Sequence, residues 1–338
     1  MKNNELVIDW QPTHSVEGLS FRHFSGEQDH QKRLEITNAT KEINGISWNI
    51  TLADIINDEK WTPNYDIHRD LIYVDMFDRT VGYFGYSWDT ELDGKIIFLP
   101  FGMLLPEYWG RGIASLMLNY VEQECGKIAS QMPRQVEKRY RVWKKKKAVE
   151  VISFFQHKGY QIERYFNCMM RPVDLPLGNY PLPPGLEIRP VEPDHYRKIW
   201  DANWEAFQDH WGFTPPTEEM FQISITERFF QPQLWKVAWE GDEVCGVVHN
   251  YYDAEENQLY HRKRGYTEEI SVRRPWRGKG VAKALIAESI RLFREMGMDH
   301  TWLTVDTQNL SGAHRLYEAM GYSIVEEETS YNLGKPLT

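Results

Sequence analysis

The chain contains 338 residues with a formal net charge of -10 and an isoelectric point of about 5.6. This length suits two domains that each bury a core, and the acidic balance argues against nucleic acid or an anionic membrane surface as a partner. The start lacks an apolar secretory core, no apolar run approaches the roughly 20 residues that cross a bilayer, and the three cysteines show no metal-site spacing. We therefore expect a cytoplasmic protein without a metal.

Short motifs of the first half recur in the second half at an offset of about 165 residues. GLSFR at 18–22 is echoed by GLEIR at 185–189, GRGIA at 110–114 by GKGVA at 278–282, and FFQHKGY at 154–160 by LYEAMGY at 316–322. Such repeats indicate two copies of one fold. Each copy reads as strand, helices, antiparallel strands, glycine motif, helix, strand, helix and strand, which predicts a mixed α/β (α+β) fold with a mostly antiparallel sheet flanked by helices.

A cluster of basic side chains follows the glycine motif of the first copy, GRGIA at 110–114, and precedes the last predicted helix of that copy. The cluster consists of Arg134, Lys138, Arg139, Arg141 and Lys144 to Lys147, with Glu137 as its single acid. It is either an RNA-binding stripe, or a solvated face or docking surface against the acidic remainder of the chain, and the net charge favours the second interpretation.

The segment 172–185 is dense in proline and glycine and has no hydrophobic periodicity. This composition is typical of a stiff, extended linker. We therefore place an N-terminal domain at 1–171, a linker at 172–185 and a C-terminal domain at 186–338.

The second copy begins with a predicted strand at 186–191 and a helix at 195–207. Residues 234–239 and 244–252 predict a hairpin, with Gly241 and Asp242 in its turn. A further strand is predicted at 266–272.

That strand leads directly into a glycine-rich helix start. Pro275 ends the strand pattern, and Arg277, Gly278, Lys279 and Gly280 precede an apolar periodic run that begins at Val281. Glycine removes the Cβ atoms that keep a ligand away from the backbone, and the first amides of a helix have no internal partners. The motif is either a tight turn or a cradle for a phosphate group.

The next segments carry a resemblance to a known family. Leu303 and Val305 predict a short strand, and NLSGAHRLYEAMGY at 309–322 predicts a helix closed by Gly321. Together with the pattern Arg277, Gly280 and Ala282, these segments resemble motifs A and B of the GNAT superfamily of acyl-coenzyme A dependent N-acyltransferases. The resemblance implies two GNAT-like domains in tandem and acetyl-CoA as the acyl donor.

The resemblance also implies roles for individual residues of the second copy. The backbone of Ile270, Ser271 and Val272 would pair with the pantetheine arm, and Asn309 would orient that arm near the thioester. The pyrophosphate would lie on Arg277, Gly278, Lys279, Gly280, Val281 and Ala282. Tyr317 would face the sulfur that leaves as a thiolate, and because a phenol is a weaker acid than a thiol we expect it to act first as a hydrogen-bond donor.

An alkyl ammonium must lose its proton before it attacks a thioester, because its pKa of about 10.4 leaves almost none of it neutral at pH 7. Glu268 and Glu269 precede the strand residues that would carry the acetyl group. Neighbouring strand residues face opposite sides, so at most one of the two acts directly as the base, and we favour Glu268. The alternative is a pair of solvated carboxylates at a strand edge.

The first copy keeps the glycines and loses the predicted reaction centre. Trp109 stands at the position of Arg277, and Phe155 stands at that of Tyr317. The amides of Gly110, Arg111, Gly112, Ile113 and Ala114 still offer a possible second cofactor site, which is either vestigial or regulatory, or binds nothing.

An acceptor site is expected from the loop at 206–216. The superfamily builds its acceptor site in this region, so Asp209, His210 and Trp211 would bind a cationic amine, or would belong to a loop that its aromatic rings lock to the core. We predict an N-acetyltransferase acting on a primary amine of a small molecule or peptide, as a monomer or homodimer. The alternatives are a non-catalytic acyl-CoA sensor and a scaffold without a ligand.

Overall fold

The computed structural model describes residues 8, 10, 14–309 and 311–337. It divides the chain into unit 1, which comprises Met1–Glu163 and Tyr331–Thr338, and unit 2, which comprises Arg164–Ser330. No helix within the described residues is long and apolar enough to cross a membrane.

The helices and strands follow one another along the chain in a repeating order. They are β1 (Leu19–His23), α1 (Gln28–Ala39), α2 (Leu52–Trp61), α3 (Ile67–Asp70), β2 (Leu71–Met76), β3 (Arg79–Thr90), β4 (Ile96–Leu104), α4 (Ile113–Ser130), β5 (Lys138–Lys145), α5 (Val149–His157), β6 (Gln161–Pro172), β7 (Glu187–Ile188), α6 (Tyr196–Phe207), α7 (Glu218–Ser224), β8 (Lys236–Glu240), β9 (Glu243–Tyr251), α8 (Ala254–Leu259), β10 (Arg264–Val272), α9 (Val281–Glu295), β11 (His300–Asp306), α10 (Ala313–Ala319), β12 (Ser323–Ile324) and β13 (Ser330–Pro336).

The two units have the same strand order. The order is β1-β2-β3-β4-β5-β13 in unit 1 and β7-β8-β9-β10-β11-β6 in unit 2, where β12 also pairs with β6. The first four strands of each unit pair antiparallel, and the fifth pairs parallel with the fourth. The predicted fold class, a tandem of mixed and mostly antiparallel sheets flanked by helices, is therefore confirmed.

The limits of the units differ from the domain limits predicted from sequence. Strand β6 follows the first copy along the chain, but it pairs with β11 in unit 2 over residues 166–172. Strand β13 follows the second copy, but it lies beside β5 in unit 1. The segment 172–185 consequently belongs to unit 2 rather than lying between the units. Strand pairing decides the boundary, and such pairing is non-local and cannot be read from the composition of a linker.

The parallel pair of each unit separates after three residues. Strands β4 and β5 pair only over residues 96–98 of β4, and β10 and β11 pair only over residues 264–266 of β10. Beyond those points the fourth strand keeps its antiparallel partner and leaves its other edge without a parallel partner. A backbone edge of this kind offers N–H and C=O groups to an extended ligand.

Helix α9 fixes the shape of this opening in unit 2. Its buried residues recur at helical spacing, so one apolar face packs on β9 and β10. The helix approaches so closely that a Cβ at Gly265 would collide with the ring of Phe293. Burying a phenylalanine of this size is worth about 1.5 to 3 kcal/mol, so this contact holds the start of β10 in place.

The basic cluster of unit 1 does not form a continuous exposed stripe. Arg141 pairs with Glu91 at 2.6 Å, Arg139 pairs with Glu137 at 3.3 Å, and Lys145 is 5% exposed. Because some of these cations are paired with carboxylates and one is buried, the segment does not present one continuous positive surface.

Candidate active site

Strand β10 carries an irregularity where the predicted carboxylates lie. Glu268 is opposite His249, whereas Ser271 is opposite Val247, so β10 has one residue more than β9 between these pairs. Glu269 occupies the bulge with a backbone φ of +46°, in the left-handed region that residues other than glycine seldom adopt. Strain of this kind costs on the order of 1 to 3 kcal/mol and concentrates at functional sites.

The bulge sends the two carboxylates to different partners, as the alternation of strand residues predicts. Glu268 accepts hydrogen bonds from Thr304 at 3.2 Å (Oγ1) and 3.4 Å (N). Glu269 accepts one from Asn203 Nδ2 at 2.7 Å and lies 2.8 Å from His249 Nδ1. Desolvation acts to raise the pKa of Glu269, but His249 and Asn203 outweigh it and lower that pKa below its usual range. Glu269 is therefore an anion at neutral pH.

The glycine motif forms an open cradle. Gly278 and Gly280 have φ of +74° and +92°, and no atom lies within 4 Å of the Cβ position of either residue. Gly280 is the N-cap of α9, and no side chain caps the helix there. The first amides of a 15-residue helix are thus available to an anion at the end of β10.

Arg277 is held beside the cradle by three acceptors of the protein. Its Nε donates to Val272 O at 2.9 Å, its Nη2 donates to Ala206 O at 2.9 Å, and its Nη1 lies 2.6 Å from Asp209 Oδ2. Arg274 binds the other oxygen of Asp209 at 2.5 Å. The guanidinium therefore lies at the predicted position, but a carboxylate faces it.

These two arginines change the interpretation of Asp209. Their hydrogen bonds lower the pKa of Asp209, so the carboxylate stays charged and is already neutralised by cations of the protein. The predicted role of Asp209 as a partner of a cationic amine does not fit this arrangement.

His210 and Trp211 pack against neighbouring side chains. The His210 ring lies 4.4 Å from the Phe207 ring, and burial lowers the pKa of His210. The guanidinium of Arg164 lies 5.3 Å from the Trp211 ring, and Arg164 pairs with Asp306 at 2.7 Å. These contacts favour the interpretation in which aromatic rings lock this loop to the core.

Tyr317 lies in α10 and is 6% exposed. Its ring is 6.1 Å from that of Tyr322, and its hydroxyl makes no hydrogen bond with any described residue. Burial, together with the charge of Glu268, raises the pKa of Tyr317. The phenol therefore keeps its proton, which suits a hydrogen-bond donor better than a full acid.

Asn309 lies in the turn that follows β11. Its Oδ1 accepts a hydrogen bond from Ser311 N at 2.8 Å, and its backbone N–H donates to Asp306 O at 3.1 Å. The side chain thus fixes the turn that leads to α10.

The span from α6 to the end of this site matches a known family. Residues 196–322 match the Acetyltransferase (GNAT) family, and the span includes β10, the cradle, α9 and α10. Unit 2 contains a GNAT acetyltransferase domain. The expected class, an acyltransferase domain of the kind that uses acetyl-CoA as its donor, is confirmed.

Curated relatives of the chain are named mycothiol acetyltransferases. The protein from Thermobispora bispora is 29% identical over 160 residues, which are 46% of this chain and 52% of that one. The protein from Nocardiopsis dassonvillei is 26% identical over 247 residues, 67% of this chain and 71% of that one. The chain thus spans about half the length of the first relative.

Solved structures share the two-copy fold. A GCN5-related N-acetyltransferase from Sphaerobacter thermophilus has a TM-score of 0.70 at 20% identity, covering 95% of this chain and 96% of its own. A tandem GNAT protein from the clavulanic acid biosynthesis pathway has a TM-score of 0.65 at 12% identity, with 95% and 99% covered. At these identities the likeness concerns the fold alone.

Three residues around Glu269 carry contacts that the sequence analysis missed. Asn203 of α6 is 1% exposed, and the His249 ring stacks on Trp235 with ring centroids 3.9 Å apart. Asn203 lies on the buried side of α6 with Ile199, Ala202 and Ala206, and a polar residue among apolar ones is the signal that could have found it. His249 meets Glu269 only through strand pairing, which no local pattern reveals.

The glycine motif of unit 1 has the same backbone but a different environment. Trp109 Nε1 donates to Leu104 O at 2.9 Å, as Arg277 Nε donates to Val272 O in the GNAT domain. Gly110 and Gly112 have φ of +74° and +82°, but the His14 imidazole occupies the space that a Cβ of Gly112 would fill.

The remaining residues of this motif are turned toward the protein. Arg111 donates to Glu107 O at 3.1 Å, and its guanidinium lies 5.2 Å from the Tyr108 ring. Ile113 is 1% exposed, and Ala114 packs against the core of unit 1. The possible second cofactor site at 110–114 therefore has one glycine, Gly112, covered by His14, and a tryptophan in place of the arginine of unit 2.

Proposed function

We propose that unit 2 transfers the acetyl group of acetyl-CoA to a primary amine of a small molecule or peptide, by direct attack within a ternary complex. The observation that carries this proposal is the open cradle at the end of β10, with Tyr317 and the two carboxylates beside the same strand. These groups would hold a thioester, receive a thiolate and accept a proton.

The residues of the cradle fit a diphosphate. The Cβ positions of Gly278 and Gly280 face open space, no side chain caps the start of α9, and the Arg277 guanidinium lies beside this segment. The free edge of β10 at Ile270, Ser271 and Val272 would pair with the amide groups of the pantetheine arm. The acetyl-CoA thus supplies the activated acyl carbon, and the protein fixes its position along the strand.

Tyr317 would stabilise the leaving group. As the amine nitrogen bonds to the acyl carbon and the carbon–sulfur bond breaks, the buried hydroxyl donates a hydrogen bond to the developing thiolate. Because the pKa of Tyr317 is raised, complete proton transfer from the phenol to sulfur is unfavourable, and the phenol acts as a hydrogen-bond donor.

The two carboxylates would have different roles, one binding the substrate ammonium and the other accepting its proton. Glu269, which stays charged because its pKa is lowered, would hold the substrate ammonium. Glu268 would take the proton released as the amine attacks, since it lies on the side of Tyr317. The net reaction converts ammonium and thioester into amide, free thiol and a proton.

A covalent acyl-enzyme intermediate on cysteine is disfavoured. Burial, with the charge of Glu240 nearby, raises the pKa of the Cys245 thiol to about 11. Cys125 and Cys168 are buried as well. Burial also raises the pKa of the Cys125 thiol, and a buried thiol in apolar surroundings is a poor nucleophile.

A small-molecule acceptor is supported by the names of the relatives. Several are named for mycothiol, but the chain spans only part of their length, so the identity of the amine is open to test.

A thiol-release assay tests this function directly. The purified chain is incubated with acetyl-CoA and a panel of aminoglycosides, polyamines, amino acids and peptides, beside Tyr317→Phe and the control Tyr322→Phe. We expect Tyr317→Phe to lower kcat about 10- to 1,000-fold with little change in KM, because it removes a donor to the leaving group. Tyr322→Phe should keep most of the activity. Acetyl-CoA binding without thiol release from any amine would favour the sensor instead.

A further inference from the structure

Unit 1 contains an apolar cavity lined mainly by residues of β4, α4 and α5. Its volume is about 350 Å³, in the range of small-molecule sites. Aromatic and aliphatic side chains dominate its lining, including Phe101, Met103, Trp109, Leu118, Phe154 and Phe155, and the polar side chains that reach it are Asn44, Ser115 and Glu150. The cavity corresponds in the fold to the donor opening of unit 2.

The surroundings of this cavity do not suit coenzyme A. The His14 imidazole covers Gly112, and the position of Arg277 is taken by the uncharged Trp109. The Arg111 side chain is folded back on Tyr108. A diphosphate would therefore meet neither an open pair of glycines nor a free cation.

One cation does lie beside the apolar lining. The ammonium of Lys144 in β5 is 5.5 Å from the centroid of the Phe155 ring. Lys144 also lines a second cavity of about 490 Å³, which shares residues 100–103 of β4 with the first. Lys144 thus lies beside Phe155, which lines the first cavity.

No carboxylate of the described residues pairs with Lys144. The acids that line the second cavity face another cation, since Arg33 Nη1 lies 3.0 Å from Glu59 Oε1 and Asp58 interacts with Arg33. Burial lowers the pKa of Lys144 to about 8, so the group is still largely charged at neutral pH. A half-buried cation without a counter-ion favours an anionic ligand.

We propose that unit 1 binds a medium-chain carboxylate, with its hydrocarbon chain in the apolar cavity and its carboxylate at Lys144. A single ammonium without oriented amides matches a monoanion better than a phosphate dianion. The apolar lining would contact the hydrocarbon chain of the ligand. Each buried methylene should tighten binding about fourfold as long as the hydrocarbon fits the cavity. This site is separate from the proposed transfer reaction and does not depend on it.

Calorimetric titration of the intact chain with octanoate tests the proposal. We expect saturable 1:1 binding that strengthens from hexanoate to octanoate, and no binding of octylamine, which carries the wrong charge. Lys144→Met should weaken octanoate binding at least tenfold, whereas Lys146→Met, an exposed lysine of the same segment, should leave it unchanged. Ser115→Phe, which fills the cavity, should also abolish binding and remains informative if Lys144→Met fails to fold.

Three results would overturn the proposal. The first is the absence of saturable octanoate binding, and the second is equal binding by wild type, Lys144→Met and Ser115→Phe. The third is displacement of octanoate by acetyl-CoA in Arg277→Ala, which would assign the cavity to the coenzyme. Failure of the transfer reaction alone changes none of these readouts.

Discussion

Arg277 donates a hydrogen bond to the end of β10 and also supplies a positive charge, and unit 1 keeps only the first of these two features. Its Nε caps the carbonyl of Val272, and Trp109 caps the equivalent carbonyl of Leu104 in unit 1 without any charge. The charge is therefore not needed to end the strand. The positive charge of Arg277 can bind an anion, and in this structure that anion is the carboxylate of Asp209.

Replacement of Arg277 separates cofactor binding from the fold. Arg277→Ala should weaken acetyl-CoA binding about 10- to 100-fold, because a hydrogen bond to a charged group contributes roughly 1.5 to 3 kcal/mol. Arg274→Ala is the matched control, since Arg274 also pairs with Asp209 but lies outside the glycine motif. Equilibrium titration measures both, and equal affinity of Arg277→Ala and wild type would remove Arg277 from the donor site.

The two carboxylates make distinct predictions for the dependence of rate on pH. Glu268→Gln should lower kcat about 100-fold at every pH tested, because an amide cannot take the proton that the amine releases. Glu269→Gln should mainly raise KM for the amine, since the lowered pKa of Glu269 keeps it charged across the neutral range. Steady-state rates from pH 5 to 9 distinguish the two, and two wild-type profiles would exclude both residues.

At the scale of elements, the sequence predicted most of what surrounds the cradle. The hairpin of β8 and β9 turns at Gly241, which has φ of +57°, and Gly321 follows α10 with φ of +89°. These features depend on local chemistry, in which glycine supplies a positive φ. The strand predicted at 186–191 is shorter, because only Glu187–Ile188 finds a partner on β8.

Other elements of the site depend on pairing between distant segments. The bulge at Glu269 exists because β9 and β10 pair with unequal numbers of residues, and it brings His249 and Asn203 to the carboxylate. The ion pairs of Asp209 require the loop after α6 to meet the end of β10. Neither follows from the local sequence, so the carboxylates were predicted and their partners were not.

For the whole molecule, the important feature is that the units do not coincide with the two sequence repeats, because unit 2 starts at residue 164 and unit 1 is completed by residues 331–338. Strand β6 supplies the partner of β11 over residues 166–172, and Met169 and Leu303 on these strands are fully buried. A half that begins at the predicted linker lacks this strand.

Two fragments test the exchange of strands. A fragment of residues 186–338 should be less stable than a fragment of residues 164–330, because only the second contains the partner of β11. Thermal unfolding and near-ultraviolet circular dichroism measure the difference. A cooperative transition of 186–338 at the same temperature as 164–330 would show that β6 is dispensable.

The most direct test of the account is the stoichiometry and affinity of acetyl-CoA binding in two glycine variants, one from the glycine motif of each unit. Gly280→Ala and Gly110→Ala each place a side chain at a left-handed position with open space around it, at φ of +92° and +74°. We predict one acetyl-CoA per wild-type chain, binding weakened at least tenfold in Gly280→Ala, and unchanged binding in Gly110→Ala. Two molecules bound per chain, or a loss of affinity in Gly110→Ala but not in Gly280→Ala, would contradict the assignment of the donor site to unit 2.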